Sequence, residues 1–161
     1  MRNISNDEFE NKYYKYKQMI YNISYTYVKN TYDADDITQD VFMKYLNSDE
    51  QFATEDNEKF WLIRVTINTS KTFVTSSWKK KVFVDEELIN RTSDAKKEVG
   101  ELFELVSKLP SRYKEPIVLF YYENMSIGEI SHTLGISESA CKKRLERGRN
   151  MLREKENLKN G

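Results

Sequence analysis

The residues best suited to chemistry gather near the end of the chain. Lys142, Lys143, Glu146 and Arg147 follow Ser126-Ile127-Gly128-Glu129, Leu134-Gly135-Ile136 and Ser137. Ser126 with Glu129 three residues on is a capping box, in which hydroxyl and carboxylate each accept from a backbone amide left free at a helix start. Ile130 and Leu134 share one face of that helix. Gly135 can take the left-handed conformation that ends it, Ile136 can close the corner, and Ser137 can cap a second helix. With Cys141, Leu145 and Leu152 turned inward, Lys142, Lys143, Glu146 and Arg147 point away from the core. Two helices around a glycine turn, the second one basic, describe a helix-turn-helix whose second helix enters the major groove. Lys and Arg at its start suit guanine acceptors, Glu146 suits the cytosine amino group, and Arg144 and Arg149 suit phosphate. The plainer alternative is a terminal amphipathic helix with a solvated basic face.

Charge is segregated along the rest of the chain. The 161 residues carry 26 bases and 26 acids, a net charge of zero that argues against a simple polycation. Residues 30–60 nevertheless hold nine acids against two bases, residues 61–81 five bases and no acid, and residues 137–159 eight bases against four acids. Two separate basic blocks can grip a polyanion at two places, and the acidic block faces something else.

Elements that would position these blocks are legible as stripes of period 3.6. Phe9, Tyr13, Tyr16, Ile20, Ile23 and Tyr27 predict a long first helix; Ile37, Val41 and Tyr45, flanked by Thr38, Phe42 and Leu46, predict a second. Phe60, Ile63, Ile67 and Val74 suggest a third. The β-branched run Val65, Thr66, Ile67, Thr69, Thr72, Val74 and Thr75 reads equally as strand. Residues 82–100 hold no sustained apolar stripe and read as a linker. Leu102, Leu105 and Leu109 then open a second helical domain, and Pro116 marks either a helix start just before it or a kink. The expected fold is all-α, with two small helical domains over residues 1–81 and 101–161.

Several function classes drop out. A single cysteine, Cys141, allows neither an internal disulfide nor a cysteine-based zinc site, and reads as a small buried hydrophobe. A single histidine, His132, supports no multi-histidine metal site or relay and is expected at the surface. No phosphate-binding GxxxxGK[ST] or nucleophile GxSxG motif is present, and the acids at 33–40 lack the glycine and closing glutamate of a calcium loop. The expectation is a non-enzyme without cofactor or metal. With no signal-peptide pattern and no apolar run of spanning length, a cytoplasmic protein without membrane insertion is expected.

Leu109-Pro110, Ile117 to Glu123, Met125 to Ile130 and Leu134 to Ser137 together resemble region 4 of bacterial sigma factors. Upstream, Asp33-Ala34-Asp35-Asp36-Ile37-Thr38-Gln39-Asp40-Val41-Phe42 resembles the region 2 motif of the same proteins, and Trp61 to Asn68 the helix that follows it. Two motifs in order, separated by little more than a linker, resemble the extracytoplasmic-function (ECF) class over roughly residues 8–155. The resemblance implies a transcription initiation factor that directs bacterial core RNA polymerase to promoters. It implies docking on the β′ clamp helices and the β flap, reading of the minus-thirty-five duplex and capture of the melted minus-ten strand. An anti-sigma protein is a further partner that the class admits.

Carried over by position, Asp36, Gln39 and Asp40 would face the clamp, with Val41 and Phe42 mainly packing. Asn68, Lys71 and Thr72 would lie at the minus-ten strand, with Phe60 and Trp61 supporting them. Asparagine is unfavourable within a helix, which adds weight to Asn68. Lys142, Lys143, Glu146 and Arg147 would read the minus-thirty-five duplex. The chain departs from the family where Thr72 replaces a common Asp, Thr75 a common Arg, and Ala140-Cys141 a common Thr-Val. Two competing readings stand beside this one: a helix-turn-helix regulator that binds operators unaided, and an interaction protein that holds polymerase without opening promoters.

Overall fold

A computed structural model of the chain describes residues 1–80 and 100–160. All regular structure in these residues is helical, and the chain divides into two compact units, Met1–Lys96 and Lys97–Gly161. The expected linker lies almost wholly outside the described residues.

Unit 1 is a bundle of three long helices, α1 (Asn6–Val28), α2 (Thr31–Asn47) and α3 (Glu55–Lys80), each packed on the other two. Ser5 starts α1 by accepting from the Glu8 amide, and Asp7 and Glu8 place negative charge at the positive end of the helix. Lys29 ends it with a left-handed φ of 59°, donating its amide to the Tyr25 carbonyl. Asn30 follows at once as the N-cap of α2, its side chain accepting from the Asp33 amide at 2.8 Å. The second stripe is buried as expected, at Ile37, Thr38, Val41, Phe42 and Tyr45. The first stripe widens towards its end, because Ser24, Tyr25 and Thr26 are buried while Tyr27 is only half-buried.

The β-branched segment is helix, not strand. Leu62, Ile63, Thr66, Ile67 and Ser70 form its buried side against α1 and α2, and this burial overrides the weak local preference. The Thr66 hydroxyl donates to the Leu62 carbonyl at 2.6 Å, so a polar group inside the bundle keeps a partner. Val74 does not belong to the core stripe; it is 36% exposed.

Unit 2 assembles shorter pieces: α4 (Glu101–Ser107), α5 (Ser111–Ile117), a π-helical turn (Val118–Tyr122), α6 (Ile127–Leu134) and α7 (Glu138–Asn160). The expected register of α4 is off by one: Leu102 is 49% exposed, while Phe103 and Val106 are buried together with Leu109. Leu109 alone of the three leucines is buried, and at the start of the helix the larger Phe103 ring takes the inward position against Tyr122. Helix α5 starts five residues before Pro116, not just before it. The proline sits inside the helix, and the π turn follows directly. Pro116 has no amide to give the Arg112 carbonyl, so the ladder is already interrupted where the wider turn begins. Asn124, at φ 55°, ends the turn, with the Met125 amide reaching back to the Leu119 carbonyl at 3.0 Å.

Candidate nucleic-acid interface

The helix-turn-helix of unit 2 is built by the caps that its sequence contains. Ser126 and Glu129 form the reciprocal capping box at 3.1 and 2.9 Å. Gly135 closes α6 at φ 69°, and Ser131 holds the corner by accepting from the Ile136 amide through its carbonyl while donating its hydroxyl to the Ile136 carbonyl. The Ser137 hydroxyl then accepts from the Ala140 amide at 3.0 Å and starts α7. Cys141 and Leu145 are fully buried, so Lys142, Lys143, Glu146 and Arg147 emerge on the exposed side. Leu134 and Leu152, expected inward, are half-buried. Burial pushes the Cys141 thiol above its ordinary value, as for a buried hydrophobe, and His132 is exposed.

Two of the arginines on α7 are held in place by tyrosines of the same unit. Arg149 Nη1 donates to the Tyr121 hydroxyl at 3.0 Å. A hydrogen bond from Arg147, opposed by desolvation and joined by one from Arg112, holds the Tyr113 phenol below its usual range. Arg144 is half-exposed. Sequence reasoning missed a further residue here, Gly148. A Cβ at that position would stand 2.9 Å from Ile117 Cγ1 and 3.1 Å from its Cδ1, so any side chain there must displace Ile117 where α7 meets α5. An isolated glycine costs a helix interior about 1 kcal/mol relative to alanine, which was the available signal for close packing.

In unit 1 the candidates fall on two exposed faces. Asp36, Gln39 and Asp40 are exposed on α2. Tyr32 and Met43, 45% and 53% exposed, lie four and three or four residues from them, making one mixed acidic and apolar stripe that the sequence reading did not single out. Asp40 approaches Lys44 at 3.6 Å, and Lys44 Nζ also donates to Thr69 Oγ1 at 2.9 Å, tying this side of α2 to α3. Burial first, and the Asp36 charge second, raise the Asp35 carboxyl above its ordinary value.

On α3, Asn68, Lys71 and Thr72 are exposed together, with Arg64 and Thr75 at helical steps before and after them. Phe60 and Trp61 are half-buried. The Trp61 ring packs at 5.7 Å from Phe52 and 6.2 Å from Tyr45, so it anchors the connection between α2 and α3 and stands at the base of the exposed face.

Beneath these faces lies a buried carboxylate. Glu58 accepts from Lys12 Nζ at 2.8 Å, Tyr45 OH at 2.9 Å and Tyr16 OH at 3.1 Å, linking all three helices. Burial opposes its charge, but the hydrogen bonds from Lys12, Tyr45 and Tyr16 outweigh burial and hold the carboxyl below its ordinary value. Among the described residues, no group of His, Cys, Asp and Glu is arranged to hold a metal ion, and no helix is long and apolar enough to cross a membrane.

Comparisons with known proteins match both units separately. Residues 13–80 match the family description Sigma-70 region 2, and residues 100–152 match Sigma-70, region 4. The chain is 31% identical over 140 residues to RNA polymerase sigma factor SigV of Bacillus subtilis, covering 86% of this chain and 84% of that one. It is 29% identical over 159 residues to the ECF RNA polymerase sigma factor SigW of the same organism, covering 86% and 83%. Among solved structures it resembles CnrH in complex with the cytosolic domain of CnrY, with a TM-score of 0.72 at 21% identity over 96% of this chain and 90% of that one. It also resembles the sigma factor RpoE bound to the anti-sigma factor NepR from Bartonella quintana, at 0.67 and 18% over 91% and 94%. At these identities the two structures bear on the fold alone.

Proposed function

The chain belongs to the sigma-70 family and its ECF class, and on that premise we propose that it works through three separate faces during transcription initiation. The α2 stripe of Tyr32, Asp36, Gln39, Asp40 and Met43 docks on the β′ clamp helices of core RNA polymerase, its carboxylates meeting basic residues and its exposed apolar pair meeting apolar ones. The α3 face of Asn68, Lys71 and Thr72, with Phe60 and Trp61 behind it, receives the melted minus-ten strand, whose unstacked bases are open to hydrogen bonds and aromatic contact. Helix α7 reads the minus-thirty-five duplex, with Lys142, Lys143, Glu146 and Arg147 at base edges and Arg144 and Arg149 at phosphates. Unit 2 also meets the β flap. The division into domains at residues 1–81 and 101–161 around a linker, 82–100, belongs to the same reading.

The observation that carries this reading is the orientation of α7: its apolar seam is buried and its first basic residues are exposed directly after a glycine-closed turn. Neutralised phosphates release counterions, so affinity at both DNA faces falls with salt. The chain supplies binding and strand capture, and the polymerase performs the chemistry. An anti-sigma protein as a regulator is part of this reading, in line with the similar RpoE structure, which was solved in complex with the anti-sigma factor NepR.

Run-off transcription with bacterial core polymerase and a promoter-fragment library tests the proposal. New transcripts that depend on this chain are expected, and Asp36→Lys should abolish them together with polymerase binding. Lys142→Ala should weaken minus-thirty-five recognition by about 1–3 kcal/mol at one base position; equal loss on every sequence would make Lys142 a phosphate contact. Tight duplex binding by the chain alone, without new transcripts, would replace this reading with a free-standing regulator.

A further inference from the structure

The segment Met1–Ile4 precedes the first helix and lies along the last turn of α2 and the connection that follows it, residues 48–54. Its attachment runs through Arg2. The Arg2 amide donates to the Leu46 carbonyl at 2.6 Å, Nε to the Tyr45 carbonyl at 3.0 Å, and Nη1 to the Glu50 carbonyl at 2.8 Å. The guanidinium carbon also stands 4.2 Å from the Tyr45 ring centre and 5.1 Å from that of Phe52. One side chain therefore grips a helix end, the backbone of the connection and its single large apolar residue.

The segment makes one further, solvent-exposed contact with the connection, from the Met1 amino group to the Asp49 carboxylate at 3.6 Å. Ser5, directly after it, is pinned as the N-cap of α1. The connection itself is poor in anchors, since Asp49, Glu50, Gln51, Ala53 and Thr54 are all exposed. A stretch with so little burial opens at low cost unless something outside it holds it. Phe52 is what Arg2 holds: its ring lies parallel to Tyr45 at 6.5 Å and meets Trp61 at 5.7 Å. Trp61, Asn68 and Thr72 then follow one another along a single side of α3. The segment and the connection also line one open groove of about 610 Å³, with Lys12 and Glu58 among its other lining residues.

We infer that Met1–Ile4 is a strap that holds the 48–54 connection against Trp61 and so steadies the α3 face proposed to receive the minus-ten strand, with Arg2 as its positioning residue. The inference rests on the proposed minus-ten role of α3. Arg2 touches no DNA in this arrangement; it acts through Phe52 and Trp61. Lysine cannot replace it fully, because a point ammonium keeps the contact with the aromatic faces but loses the planar fork that reaches two carbonyls at once.

Two measurements test the strap. In the full chain carrying Trp78→Phe, Trp61 is the remaining tryptophan and reports on Phe52. Arg2→Ala should shift its emission to the red and raise its quenching by acrylamide, with Arg2→Lys in between; unchanged emission overturns the strap whatever the function of α3. In the second, core polymerase is loaded with the chain and presented with promoters randomised over the minus-ten element. Arg2→Ala should lower the preference for the favoured sequence by about tenfold while core binding and minus-thirty-five preference stay as they were. An unchanged minus-ten preference, or equal loss of all three properties, overturns the positioning role. If the unsubstituted chain shows no minus-ten preference, the parent reading of α3 fails, and the fluorescence arm still decides whether the strap exists.

Discussion

The two units hold themselves together in opposite ways. Unit 1 joins three long helices through Glu58, whose partners Lys12, Tyr16 and Tyr45 lie 46, 42 and 13 residues away. Unit 2 joins short helices through caps that span three residues, a glycine turn and the close approach of Gly148 to Ile117. A long-range polar hub aligns whole helices and so sets the two exposed faces of α2 and α3 relative to each other. Local caps fix where each helix starts and stops, which is what aiming the first turn of α7 requires. The contrast suggests that damage to the hub would disturb unit 1 as a whole, whereas damage to a cap would be felt at one helix end.

The largest expected effect is at the hub. Glu58→Ala leaves the Lys12 ammonium and two tyrosine hydroxyls without their acceptor and should cost about 3 kcal/mol, the low end for a broken buried pair because Lys12 stays partly in water. Both tryptophans, Trp61 and Trp78, belong to unit 1, so urea unfolding followed by their fluorescence isolates that unit. A shift of the fluorescence transition with only the matching part of the helical signal would sharpen the contrast; an equal shift of the whole helical signal would break it.

Gly148→Val comes next. It forces a branched side chain into the space of Ile117 and should cost about 2 kcal/mol in unit 2, read by circular dichroism while tryptophan fluorescence stays put. Tolerance of valine without loss would mean that the α5–α7 contact relaxes easily. Ser126→Ala removes one side of the capping box and should cost about 1 kcal/mol, seen as a smaller shift of the same transition.

The pH response gives the finest distinction. The Glu58 carboxyl is lowered in the folded state, so its contribution is complete above the ordinary carboxylate value of about 4.3 and is lost as pH falls through the lowered one. Tyr45 is raised to about 12, by burial first and then by its hydrogen bond to Glu58, so its contribution is complete below the ordinary value of about 10 and is lost as pH rises towards 12. Tyr16 is raised for the same reasons, burial foremost. The urea midpoint of unit 1 should therefore fall at both ends of the range, and Glu58→Gln should flatten the acid limb. A midpoint indifferent to acid would show that the hub contributes little.

Much of the local geometry of the candidate interface follows from spacing along the chain. The capping box, the left-handed Gly135 and the Ser137 cap each depend on groups three or four residues apart, whose separation the chain itself sets once a helix forms. The same holds for the second stripe and for the exposed positions of α2, α3 and α7, which follow from a period of 3.6. Reading failed where two periodic patterns competed. Leu102 and Phe103 are both apolar, and the choice between them lay with the ring that packs on Tyr122. Val65 to Thr75 favoured strand and helix equally until α1 and α2 supplied a surface to bury one helical side.

The sequence by itself determined where α6 and α7 begin and how the chain turns between them, which residues of α7 face outward, and which positions of α2 and α3 are polar. Only the tertiary structure decided that Glu58 would be a buried hub while Glu55, three residues earlier, stays exposed. It alone brought Arg2 onto Tyr45 and Phe52, more than forty residues away. The physical reason is one of range. Backbone geometry dictates the distance between residues a turn apart, but the meeting of distant side chains depends on how whole helices pack, and no local pattern encodes that.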